Sequence, residues 1–263
     1  MKLKNKIVLV TGSSLGIGRG IAIALAKEGA DIIVNYNKSK EQAENVADLI
    51  RGMGRQCISI KADVGIVQEI EDMFHAIRKE FNGLDILVNN AGISAYAPFF
   101  KITEEIWDKT LSVNLKAAFF CSQFAAKEMI NRGGGKIVNI ASCGAILGFR
   151  NLSHYCASKG GLVALTRQMA GELAKYHINV NCIGPGVIVT KRREEFWTKE
   201  ETKKPWERVI PLGRFGAVDD VLGAVVFVCS EDSAYMTGQT FFVDGGWSAE
   251  ANWPGGEPGS DLL

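Results

Sequence analysis

The sequence predicts a doubly wound α/β fold, in which a parallel sheet carries helices on both faces. Short runs rich in β-branched residues alternate along the chain with longer segments of helical period. The runs are mostly apolar on both faces, which is typical of parallel strands covered on two sides. A glycine-rich turn, TGSSLGIG, separates the first run from the first helical segment. These three observations together favour a single doubly wound domain.

Strands and helices are predicted to alternate from one end of the chain to the other. The predicted strands are Ile7–Val10, Asp31–Asn35, Cys57–Lys61, Ile86–Asn89, Lys136–Ala141, Asn179–Ile183 and Thr240–Val243. The predicted helices are Gly16–Glu28, Lys40–Met53, Val67–Phe81, Thr103–Asn131, Tyr155–Tyr176 and Val218–Cys229. No linker or repeat divides the chain, so residues 1–246 are expected to form one domain. A charged, aromatic stretch at about 190–216 is predicted to be a substrate lid, and residues 247–263 a tail.

Composition argues against several classes of protein. The 263 residues are 47% hydrophobic, and 30 basic residues balance 29 acidic ones, so no field of one sign exists to attract nucleic acid or an anionic membrane. No stretch approaches the roughly 20 apolar residues that a membrane span requires. Six scattered cysteines and three histidines show no metal-ligand spacing. We therefore expect a cytoplasmic protein with reduced thiols and without a metal, a membrane or a nucleic-acid partner.

The glycine-rich turn predicts a nucleotide site. Glycine lets the backbone turn tightly and approach a ligand closely, and the following helix N-terminus attracts a pyrophosphate. A turn that merely packs strand on helix is the alternative, but its place between the first strand and the first helix favours a nucleotide. The residues of this turn expected to contact a cofactor are Gly12, Ser14, Leu15, Gly16, Ile17 and Gly18.

The end of the second strand bears on the choice of cofactor. An NAD site would carry an acidic residue here to bind the ribose 2′-hydroxyl, and none occurs before Glu41. A 2′-phosphate could instead be accepted by Asn37, Lys38 and Ser39, which favours NADP(H) and leaves NAD(H) possible. Cofactor contacts are expected from Asn35, Tyr36 and Asn37.

Two further strand ends are expected to reach the cofactor. Asp63 and Val64 follow the third strand, where the carboxylate would accept from an adenine amino group or, equally, cap the next helix. The fourth strand runs into NNAG, whose residues Asn90, Ala91 and Gly92 would pass close to a ribose. Asn89, the first residue of this segment's asparagine pair, could instead have a purely structural role and only tie neighbouring strands together.

A tyrosine and a lysine stand four residues apart in YCASK, Tyr155 to Lys159. Their ordinary pKa values are about 10 and about 10.4, so neither is a useful acid or base at neutral pH by itself. On one face of a helix, however, the lysine cation would favour the phenolate and lower the tyrosine pKa. Two residues on the side of an ordinary helix remain the alternative for this pattern taken alone.

Five motifs that occur in order along the chain favour the catalytic interpretation of this tyrosine and lysine. TGSSLGIG, NNAG, Asn114, Ser142 and YCASK, at these separations, resemble the short-chain dehydrogenases/reductases from Lys6 to about Gly246. The resemblance implies that Ser142, Tyr155 and Lys159 are catalytic, with Asn114 holding a water beside the lysine. It also implies that Tyr155 and Lys159 contact the cofactor, and that Pro185, Gly186, Ile188 and Thr190 cover the nicotinamide. Tyr155 would exchange the proton, Ser142 would bind the reacting oxygen, and hydride would pass to or from the nicotinamide.

The substrate is less constrained than the reaction. IGPG, VNYN and the tail after DGGW resemble sugar and polyol dehydrogenases of the glucose 1-dehydrogenase type, while the general layout also resembles 3-oxoacyl-carrier-protein reductases. The basic residues expected beside the pocket of such a reductase are absent at Gly133–Gly135 and at Tyr176-His177, and Arg132 is shifted. A protein that binds nucleotide without turnover is a remote third alternative. The same resemblance implies a homotetramer packed on the two long helices, with the tail reaching a neighbouring subunit.

Overall fold

The strands of the main sheet run parallel and end at one common edge. The structure is a computed structural model, and it describes residues 1–191 and 194–249. The strands are β1 (Ile7–Val10), β2 (Asp31–Tyr36), β3 (Cys57–Lys61), β4 (Ile86–Asn89), β5 (Gly135–Ile140), β6 (Ile178–Pro185), β7 (Ile188–Val189), β8 (Gly216–Ala217) and β9 (Thr240–Val243). Seven of them form one sheet in the order β3-β2-β1-β4-β5-β6-β9, while β7 and β8 pair separately. The order reverses between β1 and β4, the place where doubly wound sheets bind ligands.

Helices cover both faces of this sheet. They are α1 (Gly16–Lys27), α2 (Lys40–Gly52), α3 (Val67–Phe81), α4 (Glu104–Leu111), α5 (Ala117–Asn131), α6 (Ser153–Leu173), α7 (Glu194–Trp197), α8 (Glu200–Glu207) and α9 (Val218–Cys229). Short 3₁₀ turns occupy Phe99–Lys101, Cys143–Ala145, Ala174–Tyr176 and Glu231–Ser233. The predicted single-domain α/β fold is confirmed.

The two sides of the sheet bury separate apolar layers because successive strand side chains point to opposite faces. Val8 and Val10 of β1 pack in one layer with α1, α2 and α9, whereas Leu9 packs in the other with α3, α5 and α6. All four residues of β1 are buried. The apolar runs seen in the sequence are therefore apolar on both faces because both faces are covered.

The predicted helix Thr103–Asn131 is interrupted in the structure. Thr103 caps α4 by accepting a hydrogen bond from the Ile106 N–H at 3.3 Å, and Ser112–Lys116 then form a π-helical segment before α5 begins. π-Helical segments are rare and concentrate at functional sites. Helical periodicity does not reveal the extra residue in this turn, so the sequence predicts one helix where the structure has two.

No helix within residues 1–191 and 194–249 is long and apolar enough to cross a membrane. In the same residues no group of three or more histidine, cysteine or acidic side chains is placed to hold a metal ion. All six cysteines are free thiols.

A buried amide ladder joins the centre of the sheet to the helices on one face. The Asn89 amide donates to Asn139 Oδ1 at 2.9 Å and to Ser122 Oγ at 3.1 Å. Asn139 donates in turn to Thr166 Oγ1 at 2.9 Å. Asn89 thus ties β4, β5 and α5 together, which agrees with the structural alternative considered for it.

Asn139→Ala should lower the free energy of unfolding by about 2 kcal/mol, because it removes one acceptor of the buried Asn89 amide and the donor to Thr166 Oγ1. The urea midpoint, followed by circular dichroism at fixed protein concentration, measures this loss. Asn45→Ala, at an exposed position of α2, is the matched control and should change stability by less than about 0.5 kcal/mol. Equal midpoints for all three proteins would show that the ladder contributes no net stability.

Candidate active site

The glycine-rich turn lies at the carboxyl end of β1 and requires its glycines. Gly12 and Gly16 adopt φ angles of 60° and 58°, in the left-handed region that favours glycine. A Cβ atom on Gly18 would overlap the side-chain amide of Asn90. In this turn Ser14 is buried and Leu15 is 44% exposed, with Ile17 partly buried. The backbone here is open to a ligand on the side of Leu15.

Thr11 joins this turn to the NNAG segment. Its Oγ1 accepts hydrogen bonds from the N–H groups of Asn90 and Ala91, both at 3.0 Å. The Asn90 amide donates to the carbonyls of Thr11 at 2.9 Å and Gly12 at 3.1 Å. Sequence reasoning missed Thr11, although a hydroxyl residue between a buried strand and a glycine is a visible signal. The two predicted segments are therefore locked together at the switch between β1 and β4.

Asn35 supports the turn from the second strand. It is 2% exposed, and its Oδ1 accepts from the Gly12 N–H at 3.0 Å while its amide donates to the Ala62 carbonyl at 3.1 Å. Tyr36 beside it is buried as well. These two side chains face the protein interior, whereas Asn37 and Lys38 at the tip are exposed.

Asp63 is engaged by its own turn and by a lysine. Its Oδ1 accepts from the Gly65 N–H at 2.8 Å, and Lys109 Nζ lies 3.2 Å from its Oδ2. Burial raises the pKa of Asp63, but these bonds and a hydrogen bond from Asn37 outweigh burial and hold it below its ordinary value. Val64 is buried. The carboxylate thus shapes the turn after β3 and lies beside the tip of β2.

Ser142 and Tyr155 meet beyond the end of β5. Ser142 Oγ accepts from the Gly144 N–H at 3.1 Å, and the Ser142 side chain is close enough to the Tyr155 hydroxyl to lower the pKa of the phenol. Burial raises the pKa of Tyr155 above its ordinary value, and Ser142 offsets only part of that rise. The lowering expected from Lys159 is not found in this arrangement, because desolvation of the phenol dominates.

Lys159 is an ammonium group buried beside the phenol. The residue is 4% exposed, its Nζ donates to the Ile140 carbonyl at 2.7 Å, and it lies 5.8 Å from the centroid of the Tyr155 ring. Burial lowers its pKa to about 8. The side chain is thus poised to change its proton occupancy slightly above neutral pH.

The π-helical segment places Asn114 beside the NNAG segment. Asn114 Oδ1 accepts from the Ile93 N–H at 2.8 Å, and its amide donates to the Ile93 carbonyl at 3.0 Å and to Ser158 Oγ at 3.1 Å. A Cβ atom on Gly92 would lie 3.5 Å from Asn114 Oδ1 and 3.6 Å from Lys159 Nζ. Asn114, Gly92 and Lys159 therefore converge on one point.

The segment after β6 returns to the glycine-rich turn. Pro185 is buried at the end of the strand, and Gly186 passes so close to Asp244 that a Cβ atom would lie 2.8 Å from it. Ile188 belongs to β7, which pairs with β8. A Cβ atom on Gly16 would lie 3.6 Å from the Thr190 methyl group. The four predicted nicotinamide residues thus run from the sheet edge to the turn.

The predicted lid is built from α7, α8 and the residues that follow them. Its aromatic side chains pack on one another: Trp197 lies 5.9 Å from Trp206 and 5.3 Å from Phe215 between ring centroids. A cleft of about 830 Å³ opens along the lid. The cleft is lined by aromatic and charged side chains, which include Tyr96, Lys191, Glu195, Phe196, Trp197, Lys199 and Trp206. The tryptophans thus form a small core of their own and a wall of the cleft at once.

Lys159→Met should raise the free energy of unfolding at pH 7 by roughly 2 kcal/mol. Because burial lowers the Lys159 pKa from 10.5 to about 8, the charged lysine opposes folding by roughly 3 kcal/mol at neutral pH, and methionine removes this cost. Methionine also loses the hydrogen bond to the Ile140 carbonyl, which costs the variant about 1 kcal/mol. The free energy of unfolding of the wild type should rise relative to that of the variant as pH rises from 8 to 10.5. In this range the lysine is neutral in the folded protein and still charged in the unfolded chain.

Urea unfolding of both proteins at pH 7 and pH 10 measures this difference. Lys127→Met, on the exposed side of α5, is the control and should show no such pH-dependent gain. If the Lys159→Met variant were less stable than wild type at pH 7, the buried ammonium group would not destabilise the fold as expected.

Comparison with known proteins places this geometry in a family. The model of the family described as enoyl-(acyl carrier protein) reductase matches residues 12–248. The chain is 40% identical to the 2-dehydro-3-deoxy-D-gluconate 5-dehydrogenase of Escherichia coli (strain K12), over 94% of this chain and 97% of that one. It is 39% identical to a 3-oxoacyl-(acyl-carrier-protein) reductase of Staphylococcus aureus, over 92% and 97%.

A solved structure agrees with the sequence relatives. The gluconate 5-dehydrogenase from Burkholderia cenocepacia J2315, in complex with NADP and tartrate, is 34% identical and superposes with a TM-score of 0.89 over 95% of this chain and 98% of that one. The expected resemblance is confirmed, and the enzyme is an NAD(P)-dependent oxidoreductase. The chain belongs to the short-chain dehydrogenase/reductase family.

Proposed function

We propose that the protein transfers hydride between a nicotinamide and a secondary alcohol or its carbonyl, with Tyr155 as the acid/base. The convergence of Ser142, Tyr155, Lys159 and Asn114 beside the glycine-rich turn carries this proposal. The four residues come from three separate elements, and their hydrogen bonds and burial bring them together.

Each side chain has one task in the proposed step. Ser142 donates to the reacting oxygen and holds it at Tyr155, while Tyr155 gives or receives the proton of that oxygen. Bound nicotinamide supplies the hydride acceptor or donor. Asn114 holds the segment at Ile93 against α6, which keeps Lys159 and Gly92 in register.

The proton on Lys159 matters for this step. With a pKa of about 8, the lysine is mostly charged at pH 7, and its ammonium favours the phenolate that forms when Tyr155 gives up its proton. The burial that raises the Tyr155 pKa keeps the phenol protonated until substrate is in place. The pair then suits proton donation to a carbonyl near neutral pH, and alkaline pH suits the reverse direction.

We propose NADP(H) as the preferred cofactor. Asn37 and Lys38 are exposed at the tip of β2, and Asn37 also bonds Asp63. A 2′-phosphate would find Lys38 there without a competing carboxylate on the tip itself. The relative from Burkholderia cenocepacia is described with NADP, which supports the same choice. The pyrophosphate would lie along residues 12–18, at the N-terminus of α1.

The proposed substrate is a sugar, polyol or sugar acid. The lid cleft offers aromatic faces, which suit sugar rings and chains, and Lys191 and Lys199, which suit a carboxylate. Two of the similar proteins act on, or are named for, gluconate derivatives.

The second candidate is reduction of a 3-oxoacyl thioester, which the Staphylococcus aureus relative supports. Against it, Arg132 is committed to Asp85 by two hydrogen bonds, at 2.8 and 3.0 Å, and is not available to an acidic carrier protein.

We also propose a homotetramer. The apolar surplus expected on the two long helices is partly absorbed by the core, since Met129, Leu162 and Met169 are buried. Phe119 on α5 and Trp107 on α4 are 39% and 38% exposed and remain available to a second subunit. Sedimentation at micromolar concentration tests the assembly, and a monomer would remove it.

Tyr155→Phe should lower kcat about a thousandfold, because it removes the proton donor and leaves the ring in place. Fluorescence titration should give an NADPH dissociation constant within about threefold of wild type, since the variant changes only one hydroxyl. Tyr176→Phe, at an exposed position after α6, is the matched control and should keep full activity. Turnover in Tyr155→Phe close to that of wild type would refute the proposed role.

Initial rates decide between the substrate classes. Sugars, polyols and aldonates are assayed with NADP⁺ and with NAD⁺, and acetoacetyl thioesters with NADPH. We expect turnover of the hydroxylated substrates with a preference for NADP⁺ that Lys38→Ala reduces about tenfold, with Lys40→Ala as its control. Turnover of the thioester alone would assign the protein to the acyl reductases.

A further inference from the structure

The turn that follows β9, residues 244–248, carries a tryptophan to the mouth of the candidate active site. We propose that Trp247 determines substrate specificity by closing the pocket between the catalytic loop and the lid, and that Asp244 is the residue that positions it. Trp247 belongs neither to the predicted lid nor to the residues that resemble the family's catalytic set.

Trp247 joins two aromatic surfaces that come from distant parts of the chain. Its ring stacks on Phe149 with centroids 5.3 Å apart and planes 10° apart. Its other contact is Trp206 of α8, edge-on at 5.1 Å and 81°. Such pairs stabilise an arrangement beyond the apolar area that they bury. Trp247 therefore links the loop after Ser142 to the lid.

This aromatic row reaches the reacting residues. A Cβ atom on Gly144 would lie 3.0 Å from the Phe149 ring and 3.3 Å from the Tyr155 ring, so both rings converge on Gly144. Trp247 is thus separated from the catalytic tyrosine by one aromatic residue. Trp206, at the far end of this row, also lines the lid cleft, so the row connects the cleft to the reacting residues.

Asp244 holds the turn in shape through both carboxylate oxygens. Oδ1 accepts from the Gly246 N–H at 3.0 Å, and Oδ2 accepts from the Ser248 N–H at 2.8 Å. Oδ2 also accepts from Cys143 Sγ at 3.3 Å, and Cys143 directly follows the catalytic serine. One carboxylate therefore fixes the backbone on both sides of Trp247 and anchors it to the catalytic loop.

The same turn also grips the chain that leaves the lid. The Leu212 N–H donates to the Gly245 carbonyl at 3.0 Å. Gly245 and Gly246 adopt φ angles of 69° and 89°, and Cβ atoms on them would lie 2.8 Å from Ile210 and 3.1 Å from Pro211. The two glycines let the turn of residues 244–248 approach this segment closely. The position of α8 and the width of the pocket therefore both depend on this turn.

Hydrogen exchange tests the lid contact without any substrate. In full-length Trp247→Ala, amides of residues 200–207 should exchange roughly tenfold faster than in wild type, because both ring contacts are lost. Asp244→Asn keeps the ring but loses one acceptor, and should give a smaller increase of about threefold. Tyr235→Ala, at a fully exposed position after the Glu231–Ser233 turn, is the matched control and should leave the exchange of residues 200–207 unchanged. Unchanged exchange in Trp247→Ala would overturn the proposal.

A pair of carbonyl probes tests specificity. With NADPH, the ratio of kcat/KM for octyl acetoacetate to that for ethyl acetoacetate should rise roughly tenfold in Trp247→Ala, because the widened pocket admits the longer chain. The ratio should not change in Tyr235→Ala, and the NADPH dissociation constant should be the same in all variants. Faster lid exchange with an unchanged ratio would overturn the specificity role. The exchange result stands independently of the proposed function, whose failure would appear as no turnover by the wild type of any alcohol or carbonyl, including the sugars, polyols, aldonates and thioesters of the rate panel.

Discussion

The close approach of two backbones at the switch between β1 and β4 is the constraint on which the site depends. Thr11 binds two consecutive N–H groups of the NNAG segment, and the Asn90 amide returns bonds to the first turn. Only glycine at position 18 leaves room for that amide. Because all seven strands are parallel, every loop that follows a strand opens on the same edge of the sheet. The side chains that we propose to be catalytic are close in space for this reason, although they are spread along the sequence.

The buried lysine shows how function and stability oppose each other here. An ammonium with a single described carbonyl partner at 2.7 Å is unfavourable in this environment, as its lowered pKa records. The surrounding fold tolerates it because Asn114, Ser158 and the helix backbone hold the segment in place around it. Active sites commonly carry such an unfavourable group, and the remaining structure compensates for it.

Two different devices organise the cofactor side and the substrate side. On the cofactor side, buried amides such as Asn35 hold backbone to backbone, which leaves little freedom. On the proposed substrate side, aromatic rings from α8, the loop after β5 and the turn after β9 pack against one another. Aromatic packing is less directional than hydrogen bonding, so this side can vary in shape without disturbing the sheet. The segment proposed as the lid can therefore vary in shape while the sheet stays constant.

Residues 250–263, where the tail was expected to reach a neighbouring subunit, lie outside the described residues. Trp247, at the described start of that tail, and the turn just before it pack on the lid and on the loop after Ser142 of their own chain. The four aromatic and hydrogen-bond contacts that do this join residues more than 30 positions apart. Local patterns carry no signal for such pairings.

Local apolar periodicity, backbone freedom and ordered motifs were enough to predict the alternation of strands and helices, the glycine-rich turn and the family. They also predicted that Ser142 follows the fifth strand and that Tyr155 and Lys159 share one helix, as they do in α6. Three features could be read only from the folded chain: α4 and α5 are separated by a π-helical segment, Asn35 faces inward, and burial raises rather than lowers the Tyr155 pKa. The physical reason is the same in each case: desolvation and side-chain hydrogen bonding depend on neighbours that are distant in sequence.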